Sequence, residues 1–238
     1  MPPTRFSSPR SPRSGRREEA GSELSVVSRN TEFFIGRDGD AAAAREMKRA
    51  YWAATSFLDA QVGRVLAARD EFGLRDNTIV VFSGDHGDHL GEKGRWSKAY
   101  SLFEVALRVP FLVAAPGLTP PRGAVCARPI EMLNFYRTLA DLCGLPAPDG
   151  VEGVSLRPLL RDATAPWDRP AYSVVAYRDV LGRSVRTERW RYSQWVEAER
   201  GEVLFDEQSD PHELKNFAAD PTLAERRAHL AKFPGRAR

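Results

Sequence analysis

The sequence predicts an α/β domain followed by a small antiparallel sheet, and three observations support this. A stretch with helical periodicity at 40–72 precedes a β-branched strand at 78–83. That strand ends in Ser83-Gly84-Asp85-His86-Gly87, and open α/β sheets place ligands where such strands end. Beyond residue 170, short strand candidates alternate with charged or glycine turns, which is typical of a meander.

Composition fits one sizeable domain, or one domain with a small appendage. The chain has 238 residues, of which 42% are hydrophobic and 28% charged. Its net charge of +3 comes from arginines near the start. We predict that residues 1–35, rich in Ser, Pro and Arg, form a disordered leader. Phe6 is the one aromatic residue among these arginines, too few for a stacking platform, so no nucleic-acid partner is expected.

The sequence shows neither a membrane span nor a recognisable secretory signal, and it leaves the localisation open. Two cysteines, Cys126 and Cys143, are too few for a disulfide framework.

Periodicity predicts the elements of the first part. Met47, Tyr51, Ala54, Leu58, Val62 and Val65 recur at spacings of three and four, and Gly73 is a plausible helix stop. A second strand is predicted at 108–114, a helical turn at 99–107, a helix at 130–142 and a short helix near 160.

The later part is predicted to be a separate antiparallel subdomain. Four strands are expected at 172–177, 183–187, 190–196 and 203–206. A helix is predicted to begin at 210–214, with Pro211 at its first position, and a terminal helix runs from Pro221 to about Lys232. We therefore divide the chain into a disordered leader (1–35), an α/β part (36–165) and an antiparallel C-terminal subdomain (166–238).

The loop after the first strand carries the candidate chemistry. Asp85 and His86 supply oxygen and nitrogen donors suited to a divalent cation. Lys98 is a point charge that could bind an oxyanion and stabilise a leaving group. His89 is a weaker candidate for the same anion. A metal pair beside a lysine suits an anionic ester as substrate.

Each of these residues also has a purely structural interpretation. Asp85 could cap the following helix, His86 could be a packed core residue, and Lys98 could be a surface lysine. The tripeptide Asp-His-Gly is common, so these alternatives stay open on the residues alone.

Longer motifs favour the functional interpretation of these residues over the structural one. Three motifs follow one another in the chain: Asp85-His86-Gly87, then Leu90-Gly91-Glu92-x-Gly-x-Trp96-x-Lys98, then Phe103-Glu104 with Arg108-Val109-Pro110. This order of motifs resembles the C-terminal part of the type I sulfatases, most of all the iduronate-2-sulfatases. Residues 51–64, 184–192, and 204–206 with 210–216 extend the resemblance over about 40–232. It implies an alkaline-phosphatase-like α/β sandwich with a small antiparallel C-terminal sheet.

The same resemblance implies roles for individual residues. Asp85 and His86 would be two calcium ligands, and Lys98 would contact the substrate sulfate as a catalytic residue. His89 would be a weaker substrate contact. The substrate would be a sulfate ester, with sulfated glycans as the class.

Departures from the family pattern concern the nucleophile. Family enzymes use a formylglycine made within a Cys-x-Pro/Ala-x-Arg signature, and neither Cys126 nor Cys143 fits it. The early acidic metal ligands are also missing. We therefore expect the formylglycine in a missing N-terminal half, and we expect these 238 residues alone to bind calcium weakly and hydrolyse no sulfate ester.

Two alternatives remain at this stage. One is a phosphoester or phosphonoester hydrolase of the same superfamily. The other is a non-catalytic sulfatase-like protein.

Overall fold

The computed structural model describes residues 41–98, 100–118, 123–177, 180–195 and 201–233. The leader predicted at 1–35 lies outside these residues. The elements, in chain order, are α1 (Ala41–Glu71), β1 (Val80–Ser83), α2 (Glu104–Leu107), β2 (Phe111–Ala114), α3 (Asn134–Leu142), α4 (Arg157–Arg161), β3 (Ala171–Tyr177), β4 (Val180–Arg186), β5 (Trp190–Trp195), β6 (Glu202–Asp206) and α5 (Ala224–Ala231).

Helix α1 confirms the long helix predicted from periodicity. It ends where expected, because Gly73 adopts a left-handed φ of 65° and donates its N–H to Asp70 O at 3.1 Å. None of its residues is buried. Tyr51, Leu58 and Val65, spaced seven apart and so sharing one stripe, are all exposed. None of the helices in the described residues is long and apolar enough to cross a membrane.

Strands β1 and β2 pair antiparallel, with Phe82 opposite Leu112. One face of this two-stranded sheet packs on α3, where the rings of Phe111 and Phe135 stack at 4.4 Å between centroids. Alternation puts Phe82 and Leu112 on the opposite face, where both are exposed.

The four predicted C-terminal strands form an antiparallel meander in the order β3-β4-β5-β6. Alternation gives the sheet two apolar faces. On one face Val185, Tyr192 and Leu204 pack with Leu230 of α5. On the other face Val203 and Phe205 pack against Leu102 and Phe103, which directly precede α2. The sheet is therefore covered by α5 on one side and by the segment leading into α2 on the other.

The prediction that a helix begins at 210–214 is wrong. The segment is a turn, in which Asp210 accepts the Lys215 N–H at 2.7 Å and Glu213 has a left-handed φ of 53°. Farther along, the Phe217 N–H donates to Leu204 O at 2.8 Å, so this segment pairs with the edge of β6. Tertiary contacts override the local helix signal given by Pro211.

Candidate active site

The loop that follows β1 is held in place by backbone contacts. The Gly84 N–H donates to Pro110 O at 3.3 Å, and the Gly87 N–H donates to Ala106 O at 2.8 Å. A Cβ on Gly87 would lie 2.0 Å from Val105 O, so close approach to α2 is what requires glycine there. Gly91 has a φ of 108°, which favours glycine for the turn that follows.

Asp85 and His86 lie side by side at the end of β1, as predicted. The closest approach of Asp85 Oδ2 to His86 Nε2 is 3.4 Å, and the Asp85 side chain is 85% exposed. His86 Nδ1 lies 2.9 Å from the Gly87 carbonyl oxygen. Because that carbonyl can only accept, Nδ1 carries the proton and the Nε2 lone pair faces outward beside the carboxylate.

Lys98 joins this pair from the far end of the loop. Its ammonium contacts His86 Nε2 as a hydrogen-bond donor. Thus the structure brings together three of the residues singled out in the sequence, which lie within fourteen positions of one another. A carboxylate, an imidazole nitrogen and an ammonium converge on one exposed point.

His89 is placed differently, since its side chain is fully buried. Its Nδ1 lies 3.0 Å from Glu92 O and its Nε2 lies 2.7 Å from Ser101 Oγ. Burial, with a smaller contribution from the Arg95 charge, lowers the pKa of His89 to about 4, so the ring is neutral at pH 7. This burial does not support the prediction that His89 contacts substrate. The buried ring instead holds the loop in place through its contacts with Glu92 O and Ser101 Oγ.

Lys93 is an exposed residue whose ammonium is directed toward the C-terminal region. Its ammonium donates to the backbone oxygen of Glu213 and lies over the rings of Phe103 and Phe205, at 5.4 and 5.8 Å from their centroids. Lys93 adopts a left-handed φ of 57°, a conformation that costs roughly 1 kcal/mol for a residue with a Cβ. The contact with Glu213 ties the loop to the C-terminal region.

The donor set can be compared with the needs of a metal ion. Calcium prefers 6 to 8 oxygen ligands, whereas Asp85 and His86 supply two donors. Within the described residues, no group of three or more His, Cys, Asp and Glu side chains is arranged to hold a metal ion. Asp85 supplies oxygen and His86 one nitrogen, which accepts from Lys98 in this structure, so the pair fits at most two positions of a larger ligand set.

A buried cluster of charges lies behind α2, and the sequence analysis missed it. Arg191, with a side chain 3% exposed, is at its centre. Its Nε lies 3.3 Å from Glu207 Oε1 and 2.9 Å from Glu213 Oε1, and its Nη2 contacts Glu104 Oε2. Arg186 Nε lies 3.4 Å from the same Glu104 oxygen. We call these five residues the Arg191 cluster.

Three carboxylates share two guanidinium groups in this cluster, and their pKa values diverge. Burial raises the pKa of Glu213 to about 7 and also raises that of Glu207. Burial acts in the same direction on Glu104, but Arg191 and Arg186 together outweigh it and lower its pKa. No local signal marks these residues, because they are spread from 104 to 213 and each alone resembles a surface charge.

Comparison with known proteins identifies the family. The Sulfatase family model matches residues 10–145, which is more than half of the chain. The chain belongs to the sulfatase family. A second model, N-sulphoglucosamine sulphohydrolase, C-terminal, matches residues 91–233 of this sulfatase. Together the two matches confirm the resemblance that the sequence motifs indicated.

Curated relatives include sulfatases named for different substrates. The arylsulfatase of Clostridium perfringens is 31% identical over 80% of this chain and 40% of its own length. The iduronate 2-sulfatase of Mus musculus is 32% identical over 74% of this chain and 43% of its own length. This sulfatase therefore spans about two fifths of the length of these relatives.

Solved structures confirm the alkaline-phosphatase-like fold. A 2-O GAG sulfatase superposes with a TM-score of 0.70 at 27% identity, covering 95% of this chain and 54% of that one. The phosphonate monoester hydrolase of Agrobacterium radiobacter superposes with a TM-score of 0.63 at 26% identity, covering 73% and 37%.

Proposed function

We propose that the loop after β1 forms part of a site that hydrolyses sulfate esters, with sulfated glycans as the substrate class. The observation that carries this proposal is the convergence of Asp85, His86 and Lys98 on one exposed point. Relatives named iduronate 2-sulfatase and 2-O GAG sulfatase support the glycan class.

In this proposal Asp85 and His86 hold a calcium ion together with ligands from outside the described residues. Calcium, when bound, would offset negative charge on the sulfate oxygens. The Gly87 carbonyl keeps the His86 proton on Nδ1, so Nε2 binds the ion once the Lys98 ammonium has moved from it to the sulfate. The Lys98 ammonium contacts the sulfate and stabilises charge on the leaving oxygen.

The proposed nucleophile is a formylglycine contributed from outside these 238 residues. Cys126 and Cys143 are both free thiols in the structure, and neither stands in the family's signature. We therefore expect the 238-residue chain to bind calcium weakly and to release no sulfate by itself. Sustained sulfate release by the purified chain would contradict this expectation.

The full product of the gene provides the test of function. Sulfate release from p-nitrophenyl sulfate and from a 2-O-sulfated uronate disaccharide is measured with calcium present. We expect Lys98→Ala to lower kcat/KM by roughly 100-fold or more, because an ion that stabilises developing charge is lost. Lys48→Ala, at an exposed position of α1, is the matched control. Equal activity of the two variants would refute the role of Lys98.

A second candidate function, phosphonate monoester hydrolysis, is favoured by the solved structure of that specificity. The two cations proposed to bind sulfate, the calcium ion and the Lys98 ammonium, can also bind a phosphonate. The same gene product is therefore assayed with the p-nitrophenyl ester of phenylphosphonic acid. A higher kcat/KM for this ester than for the sulfates would favour the second candidate, and no turnover of any ester would favour a non-catalytic sulfatase-like protein.

A further inference from the structure

We propose that Glu213 and Arg191 are positioning residues for the Asp85–His86 pair, acting through α2. The proposal deepens the function proposed above and depends on it for its catalytic meaning. It states that the C-terminal sheet fixes α2, and that α2 fixes the turn at Gly87. Neither residue touches the exposed site, so neither is a catalytic residue.

The first link joins the loop to α2. The Gly87 N–H donates to Ala106 O at 2.8 Å, and the space beside Gly87 is so small that a Cβ would lie 2.0 Å from Val105 O. His86 in turn donates from Nδ1 to the Gly87 carbonyl at 2.9 Å. Any displacement of α2 is therefore transmitted to the imidazole that we propose as a metal ligand.

The second link joins α2 to the turn at 210–217. Helix α2 has four residues, too few to be stable without tertiary contacts. Its N-cap, Phe103, offers no side-chain acceptor, and the Glu104 N–H instead donates to Glu213 Oε2 at 2.8 Å. A carboxylate from 109 residues away thus caps the helix.

The third link holds Glu213 and Glu104 against the sheet. Arg191 of β5 contacts the carboxylates of both residues, and its side chain is almost completely buried. The Glu213 Oε1 atom lies 2.9 Å from Arg191 Nε without the alignment of a hydrogen bond, so this contact is electrostatic. The Glu213 backbone oxygen also accepts the Lys93 ammonium, which returns the chain of contacts to the loop.

Burial explains why this arrangement is specific. Removing one partner from a buried set of charges leaves the others unpaired, which is costly. The Arg191 cluster therefore tolerates few alternative positions of α2. We infer that the cluster selects the position of α2 in which Gly87, and with it His86, takes the observed geometry.

The test compares Glu213→Ala, Glu213→Gln and Glu202→Ala in the 238-residue chain. Ala removes the acceptor for the Glu104 N–H, whereas Gln retains an oxygen there. Glu202 is the control because it pairs with Arg227 at 2.9 Å and accepts from Tyr192 at 2.7 Å in the same sheet, and neither partner belongs to α2.

The first readout does not need calcium. Hydrogen exchange of the Gly87 amide and the NMR shifts of the His86 ring are followed in each variant. We expect exchange of the Gly87 amide to be about tenfold faster in Glu213→Ala, with rescue in Glu213→Gln and no change in Glu202→Ala. An unchanged Gly87 amide in Glu213→Ala, or an equal change in Glu202→Ala, would overturn the positioning role.

The second readout is calcium titration of the same variants. We expect Glu213→Ala to weaken calcium binding by about tenfold relative to wild type and Glu213→Gln. If Gly87 responds as expected while the wild-type chain binds no calcium, the positioning of the loop is supported and the proposed calcium site fails. If wild type binds calcium and all variants bind it equally, the functional part of the positioning proposal is overturned.

Discussion

At Gly87 the chain passes so close to α2 that no side chain fits between them. Gly84, three residues earlier, makes a contrast, since a Cβ there would meet Val109 Cβ at an ordinary 3.4 Å. Neither glycine has a left-handed φ, so the difference between the two positions is one of space. The comparison of Gly84 with Gly87 therefore indicates that Gly87 is required by its close approach to α2 and not by its backbone conformation.

We expect Gly87→Ala to lower the free energy of unfolding by roughly 1–3 kcal/mol, because the new methyl group displaces the Val105 carbonyl. Gly84→Ala should change it by about 0.5 kcal/mol or less. Urea denaturation of both variants provides the measurement. Equal stability of Gly87→Ala and wild type would mean that α2 can move away at little cost.

Residue chemistry was predictable where one motif contained it. Asp85, His86 and Lys98 lie within fourteen positions, and the structure brings them together as the motif indicated. Their proposed roles toward calcium and sulfate remain predictions. For His89 the sequence pattern could not show burial, because burial depends on Ser101 and on the path of the loop.

At the scale of elements, Asn216 holds the turn after β6 against that strand. Its Oδ1 accepts the N–H groups of Leu204 and Ala218, both at 2.9 Å, and its Nδ2 donates to Glu202 O at 3.2 Å. Leu204 is fully buried, so its N–H depends on this side chain. The Asn216 amide thereby joins the Phe217 N–H in pairing with the outer edge of the four-stranded sheet.

We expect Asn216→Ala to cost about 2 kcal/mol of stability, since it leaves a buried N–H without an acceptor. Asn216→Asp keeps the acceptor and should cost less. Asn77→Ala, at an exposed position, is the control. Thermal unfolding monitored by circular dichroism orders the three variants, and a cost for Asn216→Ala no greater than that for Asn77→Ala would exclude this role.

Elements were predictable where periodicity and burial agree. Helix α1 and the meander β3–β6 follow their patterns within a few residues. The segment at 210–214 has a helix-start pattern, yet Glu213 is drawn into the Arg191 cluster and its backbone turns left-handed. A pattern read over five residues cannot include a partner such as Glu104, more than a hundred positions away.

At the scale of the whole molecule, two buried groups, His89 and Glu213, change the stability in opposite directions as the pH changes. The pKa of His89 is lowered to about 4, so its contribution to stability is lost as the pH falls from about 6.5 toward 4. The pKa of Glu213 is raised to about 7, so its contribution is present at low pH and is lost as the pH rises from about 4.5 to 7. The charged groups facing Glu213 are Lys93, Glu104, Arg191 and Glu207.

We expect these effects to offset each other in wild type between pH 5 and 7, and single variants to reveal them. Glu213→Gln should lose about 2 kcal/mol of stability from pH 7 to pH 5, because protonation of unfolded His89 is no longer balanced. His89→Gln should instead gain stability over the same interval. Urea denaturation at both pH values checks the signs, and identical pH slopes for both variants and wild type would contradict the assignment.

The apolar stripe of α1 should govern the association of the 238-residue chain. Tyr51, Leu58 and Val65 are 44%, 51% and 70% exposed, and Phe82 and Leu112 add a second exposed apolar surface. We expect the chain to self-associate, and Leu58→Lys with Val65→Lys to reduce this. Leu214→Lys, at a position 77% exposed in the C-terminal turn, is the control. Light scattering after size-exclusion chromatography measures the mass, and a monomeric wild-type chain would disprove the expectation.

The contact between Glu104 and Glu213 also sets an order of events during synthesis. Because 109 residues separate the two partners, α2 receives its cap after nearly the whole described chain has been made. A nascent chain halted before residue 213 would already carry Asp85, His86 and Lys98, but without the brace behind them. Maturation of the site is therefore expected to be among the last steps of folding, and loss of the C-terminal turn should leave a protein that contains the site residues without their arrangement.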